Sequence, residues 1–560
     1  MSLKWTSLAL ILLLGINATP QGTPVDAVQT SESYRLMSDR SVYVAGEQVM
    51  IRVFNLNPDL MKSQGWSRVY YLELIAPNGI PFGQVKLPLS ASGTSGMVNI
   101  PEDIPSGTYF LKGYTRWMRN TGPGCYQIVS IEIINPRSRE VLPVDTVSEQ
   151  TLQLYRSEPC QVGGMAVSGE LASSYSGREP VKVTLSVPVG SPTLDCCITV
   201  AREGTLTGQW VNGPIRLENV VSEDYFLPET EGITLTGKVE RSDSGEPEPY
   251  AVVYLSSLGT GNEFYATHSD SSGRFYFALK EGTGEKEYFI SSSSQDQTGL
   301  ELRVDQDFSA EVFSLPSFPL STLLKDPGLV SGLTMNAQIR DQYLEQPSGT
   351  DPVAEAQERY FYGKPGVIIR FDDFIRLPDL EEYFKEVIPQ VSIRRSGGNR
   401  TLRVHGEHPD LQFYPPLMMV DGVAIFDVES ILAVAPRYVE RVEIIMAPYI
   451  RGNVTFGGII HLITRNGNMG YIDLPSSGLL LHYQKFSNNR EDNSLQAPAG
   501  SRIPDTRNTL FWEPSVVVLP GETRKISFPA PDQQGRYEIL IRGYGPNSNC
   551  HEERISFTVE

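Results

Sequence analysis

Six histidines and five cysteines in 560 residues leave few side chains for metal or nucleophile chemistry. The nearest approach to a metal motif is His405-Gly406-Glu407-His408. A helical zinc site takes histidines and a carboxylate in the order H-E-x-x-H or H-x-x-E-H. Neither order is met, and two histidines three apart on a strand fall on opposite faces. The spacing predicts exposed loop histidines without a metal. The cysteines are Cys125, Cys160, Cys196, Cys197 and Cys550, with no C-x-x-C and no zinc spacing. Cys196 and Cys197 are adjacent in the strand-like run CCITV, so at most one should face a core. A Cys125–Cys160 bridge is compatible with the sequence, and buried or free thiols are the plainer expectation.

Carboxylates occur in pairs at Asp372-Asp373 and, at helical i, i+4 spacing, at Glu382 and Glu386. Glycoside hydrolysis needs two carboxylates across a sugar cleft, and nothing in the sequence supplies the second partner. A solvated helix face accounts for Glu382 and Glu386. No G-x-S-x-G elbow and no G-x-x-x-x-G-K phosphate loop is present. Arg394, Arg395, Arg400 and Arg403 flank Gly397-Gly398, where they could meet an anionic partner or guard an exposed strand edge. The expectation is a protein without catalytic, metal or cofactor-binding residues, hence not an enzyme.

The elements that would hold these residues are mostly strands. Acidic side chains outnumber basic ones 66 to 47, a net charge of −19. That balance argues against a nucleic-acid binder, which needs a basic surface for phosphates. No internal apolar run reaches the ~20 residues of a spanning helix. The length suits roughly three to five domains. Residues 1–20, MSLKWTSLALILLLGINATP, carry Lys4, an apolar stretch from Leu8 to Ile16 and a small Ala18, the plan of a signal peptide. An exported protein, in the periplasm or at the periplasmic or outer-membrane surface, is expected.

From Ser31 to Pro136, short strands alternate with turns such as Ala45-Gly46-Glu47 and Pro77-Asn78-Gly79. In GTYFLKGYTRW, Tyr109, Leu111, Gly113, Thr115 and Trp117 share one face, with Phe110, Lys112, Tyr114 and Arg116 opposite. Period two with turns at this spacing predicts a β-sandwich. DRSVYVAGEQVMIRV followed by GTYFLKGYTRW resembles the macroglobulin-like sandwich domains of alpha-2-macroglobulin-type proteins. Those proteins carry a thioester in C-G-E-Q, but Cys125 is followed by Gln127 without the Gly-Glu pair, so a covalent protease trap is not implied. Further on, Gly237, Val239, Gly245, Pro247, Ala251, Val253, Asp270, Gly273 and Phe275 follow a G-x-V, G-x-P, A-x-V, D-x-x-G-x-F order. This order resembles the carboxypeptidase-regulatory-like domain, a small sandwich without peptidase activity.

Residues 366–468 break the all-β pattern. Leu380, Phe384 and Val387 stand at i, i+4, i+7, which predicts an amphipathic helix begun at Pro378. Strand-like runs then surround Val420-Asp421-Gly422-Val423, Arg441-Val442-Glu443-Ile444-Ile445 and Gly457-Gly458-Ile459-Ile460. In this order they resemble the plug domain of TonB-dependent outer-membrane receptors, which makes Asp421, Gly422, Arg441, Glu443, Gly457 and Gly458 structural motif residues. A barrel of 22 strands needs more than ~200 residues in strands alone. Only 92 residues follow Asn468, so transport by this chain alone is not expected. Asp145-Thr146-Val147 is too short and too far upstream to serve as a TonB-contacting box.

The expected fold class is mainly β, several immunoglobulin-like sandwiches plus one α+β plug-like domain. The expected order is a signal peptide (1–20), a macroglobulin-like sandwich (31–136), a linker (137–165) and a short or degenerate second sandwich (166–223). A carboxypeptidase-regulatory-like sandwich (224–310), a helical linker (311–365), the plug-like domain (366–468), a linker (469–505) and a C-terminal sandwich segment (506–560) follow. The function this implies is binding or scaffolding of an outer-membrane or periplasmic protein, such as a TonB-linked receptor or other barrel. The alternatives are an accessory plug for a separate barrel and a non-covalent endopeptidase-binding protein.

Overall fold

The computed structural model describes residues 32–57, 66–144, 172–206, 225–259, 263–293, 299–311, 313–317, 326–343, 361–396, 399–469, 477–488, 507–545 and 550–560. Short pieces at 161–162, 166–168, 209–210, 216–217, 472, 474 and 504–505 are described as well. The expected signal peptide, Cys160 and the 145–147 tripeptide lie outside the described residues. The fold is mainly β, with strands gathered into several small sheets, as the turn spacing predicts.

The first sandwich faces a sheet of Tyr34–Ser38, Gln48–Asn55 and Gly93–Asn99 with one built on Val69–Ile75, Gly107–Tyr114 and Gln127–Ile134. Leu36, Ile51, Val53, Leu72 and Leu111 meet in its core. The second sandwich is assembled from two distant parts of the chain. Pro180–Ser186 pairs with Thr523–Pro529, and Leu194–Arg202 lies between Thr509–Val518 and Gly535–Tyr544. Cys550–Val559 closes the sheet beside Gly535–Tyr544. Residues 166–223 and 506–560, which read as separate segments in the sequence, therefore contribute strands to one sandwich. Tyr537, Ile539 and Ile541 supply the alternating face that covers Val181, Val183 and Leu185 of the opposite sheet.

The third sandwich carries Thr234–Arg241 between Arg274–Ala278 and Leu300–Val304. Its other sheet centres on Val252–Ser257 and Glu285–Ser293. The outer partner of Glu285–Ser293 is Leu479–Gln484, a strand within the range expected to be a linker. The sequence signals of this sandwich have mechanical roles. Asp270 Oδ1 accepts from the amides of Ser272 and Arg274 and tightens a turn in which Gly273 has φ +74°. A Cβ at Gly237 would stand 2.2 Å from the Arg303 carbonyl oxygen.

An α/β module is inserted between Leu300–Val304 and the returning strand Leu479–Gln484. Its sheet runs Val367–Arg370, Val439–Ile445, Ile459–Thr464, Leu417–Val420, Val423–Ala424. The predicted helix is Leu380–Glu386, starting two residues after Pro378, with Val387, the last of the spaced apolar residues, at its C-cap. Asp379 caps its start by accepting from the Glu382 amide. The connectivity is nested: the second sandwich encloses the third in sequence, and the third encloses the α/β module.

Polar residues bury themselves where the modules meet. Phe110, Lys112, Tyr114 and Arg116 form the face that alternation predicts for solvent or core, yet all four are buried. Lys112 pairs with Glu73 at 2.7 Å, and the Tyr114 hydroxyl donates to Glu73 at 2.8 Å. The third sandwich covers this face, with Asp307 paired to both Lys86 and Arg116. Similarly, Cys196 and Cys197 are both buried, on opposite faces of their strand as alternation predicts. Cys196 lies in the second sandwich's core, while Cys197 meets Met37 and Phe54 of the first sandwich. Burial pushes the Cys197 thiol up to about 11, so it stays protonated. Cys125 is a free thiol and Cys550 is disulfide-bonded, so the Cys125–Cys160 bridge is not formed.

The helix Pro327–Tyr343 is docked rather than spanning a gap. Leu329, Leu333 and Ala337 recur at i, i+4, i+8 and pack on Val42 and Val44 of the first sandwich. Asn336 donates to Asn508 and Gln533 of the second, at 2.9 and 3.1 Å.

Candidate functional site

The α/β module holds both the sequence motif residues and a cleft, on opposite sides of its sheet. Successive residues of Ile459–Thr464 point to opposite faces. Ile459 belongs to the cluster shared with Tyr254 and Phe264 of the third sandwich. Ile460 and Leu462 instead pack with Phe371, Leu380 and Tyr383 on the helix side.

Four of the six motif residues gather around His461. Asp421 and Gly422 form the turn between Leu417–Val420 and Val423–Ala424, with φ of +46° and +85°. Two positive φ values define a type I′ turn, for which Asp-Gly is a favoured pair. Asp421 accepts from the Thr464 amide at 2.7 Å, the Thr464 hydroxyl at 2.6 Å and the Met469 amide at 3.0 Å. The Gly422 amide donates to His461 Nε2 at 2.9 Å, which leaves the ring proton on Nδ1. Nδ1 then donates to the Tyr362 hydroxyl at 2.6 Å, and that hydroxyl donates to Glu443 at 2.9 Å. Arg441 Nε completes the chain by donating to Glu443 at 2.8 Å. Burial, reinforced by the Arg441 charge, pulls the His461 pKa down to about 3, so the ring is neutral at neutral pH. Gly457 and Gly458 stand apart, at the other end of the central strand. A Cβ on Gly457 would lie 2.2 Å from the Tyr414 carbonyl oxygen, and Gly458 has φ +94°. The six residues serve turn, register and close approach, which is chemistry of folding.

On the helix side, a cleft of about 160 Å³ opens between the 371–378 segment, the 435–437 turn and Arg465. Its floor is the stacked pair Phe371 and Tyr383, with ring centroids 4.0 Å apart and planes 8° from parallel. Arg376, Arg437 and Arg465 line it together with the single carboxylate Asp372. Arg465 forms a two-point contact with Asp372 at 2.6 and 2.9 Å, and its Nε donates to the Arg437 carbonyl at 3.1 Å. That contact holds the Asp372 carboxyl below the usual carboxylate range. Arg465 thereby ties two walls of the cleft together. The Arg437 guanidinium lies 4.6 Å over the Tyr438 ring and donates to that residue's hydroxyl at 2.9 Å. Arg376 is exposed and hydrogen-bonds to no other described residue.

The remaining chemistry-bearing residues do not converge. His405 meets Ser392 at 2.7 Å and lies, with His408, in an exposed loop. Glu382 and Glu386 are exposed on the short helix. The arginine group on the Val391–Ser396/Asn399–Val404 hairpin is largely engaged within the module. Arg395 and Arg400 pair with Glu381, Arg400 also with Glu429, and Arg403 donates to the Gln412 and Tyr414 carbonyls. Sequence reasoning noticed Asp372 as half of a carboxylate pair and missed Arg376, Arg437 and Arg465. Each is a single loop arginine, and the only local hint is Arg376 and Arg437 standing beside Leu377-Pro378 and Pro436.

No family model matches the chain, and no curated protein matches it. Among solved structures, it is 9% identical to Salmonella alpha-2-macroglobulin reacted with methylamine, over 94% of this chain and 23% of that one, at a TM-score of 0.15. With Escherichia coli alpha-2-macroglobulin activated by porcine elastase, identity is 9% over 94% of this chain and 44% of that one, at 0.22. With latent PorU from Porphyromonas gingivalis, it is 9% over 51% and 34%, at 0.16. The chain spans less than half the length of each of these proteins. Likenesses of this depth assign no activity.

Proposed function

We propose that this chain is a non-enzymatic, exported protein of the Gram-negative envelope that binds or scaffolds an outer-membrane or periplasmic protein. In this reading the α/β module, the segment that resembles a receptor plug, is the docking head, and the three sandwiches are the arm that carries it. The observation that carries the reading is the way the module is mounted. The strand that follows it, Leu479–Gln484, belongs to the third sandwich, and Tyr254 stacks on Phe426 across the junction with centroids 4.4 Å apart. Arg451 adds a 2.6 Å hydrogen bond to the Phe264 carbonyl. A head fixed in this way presents its helix side without the entropy loss of ordering a flexible tether on binding.

Photo-crosslinking of the full chain in its native host tests the reading. A photoreactive residue in place of Ile375, 86% exposed beside the arginine cleft, should yield an adduct with one envelope protein. The same group in place of Val189, 90% exposed on the second sandwich, should not. A chain recovered from the cytosol, or an uncrosslinked monomer from the envelope, overturns the proposal.

A further inference from the structure

We propose that the cleft of Arg376, Arg437 and Arg465 is a slot for one carboxylate of an acidic protein segment that also carries an apolar residue next to it. The proposal deepens the docking-head reading by naming what the head grips. Volume is the first argument. At about 160 Å³ the cleft is well below the ~300–1,000 Å³ of small-molecule and cofactor sites, and it suits one side chain or chain terminus.

Donor geometry is the second. A guanidinium has five N–H donors in a fixed fork that matches a carboxylate. Arg465 spends its donors on Asp372 and the Arg437 carbonyl, so it positions the walls and does not grip the ligand. Arg437 directs one described hydrogen bond to Tyr438, and Arg376 directs none to a described residue, which leaves forks at both for an incoming anion.

The surroundings choose the kind of anion. Asp372 sits in the lining and is held ionised by Arg465, and its charge repels a phosphate dianion more than a singly charged carboxylate. Phe374 and Ile375 are exposed on the same short segment as Arg376, and they offer apolar contact to the residue flanking the acid. Three arginines against one aspartate give the cleft a local positive excess on a chain whose net charge is −19. The cleft's excess of arginines complements the charge of an acidic segment.

Fluorescence anisotropy with the full chain tests the slot. The probe is a dye-labelled peptide of alternating glutamate and leucine with an amidated C-terminus. A glutamine–leucine peptide with a free C-terminus distinguishes terminal from side-chain carboxylate, and an amidated glutamine–leucine peptide has neither. At least one carboxylate-bearing peptide should bind and the neutral one should not. The double variant Arg376→Glu with Arg437→Glu should weaken binding by about tenfold or more. Arg394→Gln, on the exposed hairpin, should leave it unchanged. Both cleft arginines are exposed, so thermal unfolding of the double variant should match wild type and separate a lost site from a lost fold. Binding of the neutral peptide as tight as the acidic ones overturns the slot, as does a double variant that binds normally. Tighter binding of a phosphoserine-containing peptide, or no binding of any carboxylate below about 1 mM, also overturns it. Envelope crosslinking that persists while peptide binding fails would sink the slot alone. Peptide binding without envelope association would sink the docking-head reading alone.

Discussion

His461 shows how a single buried group sets a measurable property. Its ring is held neutral between the Gly422 amide and the Tyr362 hydroxyl, with Arg441 and Glu443 as the charged groups nearby. The folded pKa of about 3 lies below the ordinary 6.5, so between these values the unfolded chain binds the extra proton. Stability contributed by this group is present above pH 6.5 and falls as pH drops toward 3, by about 1.4 kcal/mol per unit. Urea unfolding of His461→Gln from pH 7 to pH 4 should show a shallower acid decline than wild type; equal slopes would exclude the assignment. Gly457 gives a second residue-scale test. Gly457→Ala sets a Cβ into the Tyr414 carbonyl and should cost about 1–3 kcal/mol, read as a lowered melting temperature. The sequence exposed these glycines and the Asp421-Gly422 turn because local conformation demands particular residue types. It did not expose His461, because nothing local distinguishes a buried histidine from a solvated one.

Element junctions depend on faces that alternation alone cannot assign. Phe264 sits on a strand of the third sandwich, fully buried against Phe456 and Phe361 of the α/β module. Phe264→Ala should therefore destabilise by about 3–5 kcal/mol and loosen the module's attachment, seen as faster amide exchange in residues 439–464. Unchanged exchange there would show that Phe264 does not hold the junction. Lys86 provides the polar counterpart. It lies 4.0 Å from the centre of the Tyr483 ring, donates to the Gln484 carbonyl at 2.8 Å, and pairs with Asp307. Lys86→Met strips Asp307 of one of its two cationic partners in a buried site, an expected loss of about 3–5 kcal/mol by calorimetry. The β class, the turn positions and the presence of a helix around Leu380 and Phe384 were legible from period and punctuation, although Pro378 marked its start two residues too early. Lys112 and Arg116 were not recognised as interior residues. Their burial depends on a second module more than a hundred positions downstream.

At the scale of the whole molecule, the pairing order departs furthest from a linear reading. Residues 506–560 read as a fragment because their strands find partners only at Pro180–Ser186 and Leu194–Arg202. Ending the chain at Tyr544 removes the strand Cys550–Val559 and uncovers an edge of that sheet. The truncated protein should unfold its second sandwich at a lower temperature than the other modules, splitting one calorimetric transition into two. A single transition at the wild-type temperature would contradict this. The same connectivity puts a clock on biosynthesis. Translation at about 5–20 residues per second takes roughly 15–60 s to cover the ~300 positions between Arg202 and Thr509. For all of that interval two apolar strands exist without the partners that cover them. The early half of the second sandwich is thus the stretch of chain with the longest exposure to aggregation, and the place where a chaperone would have most to protect.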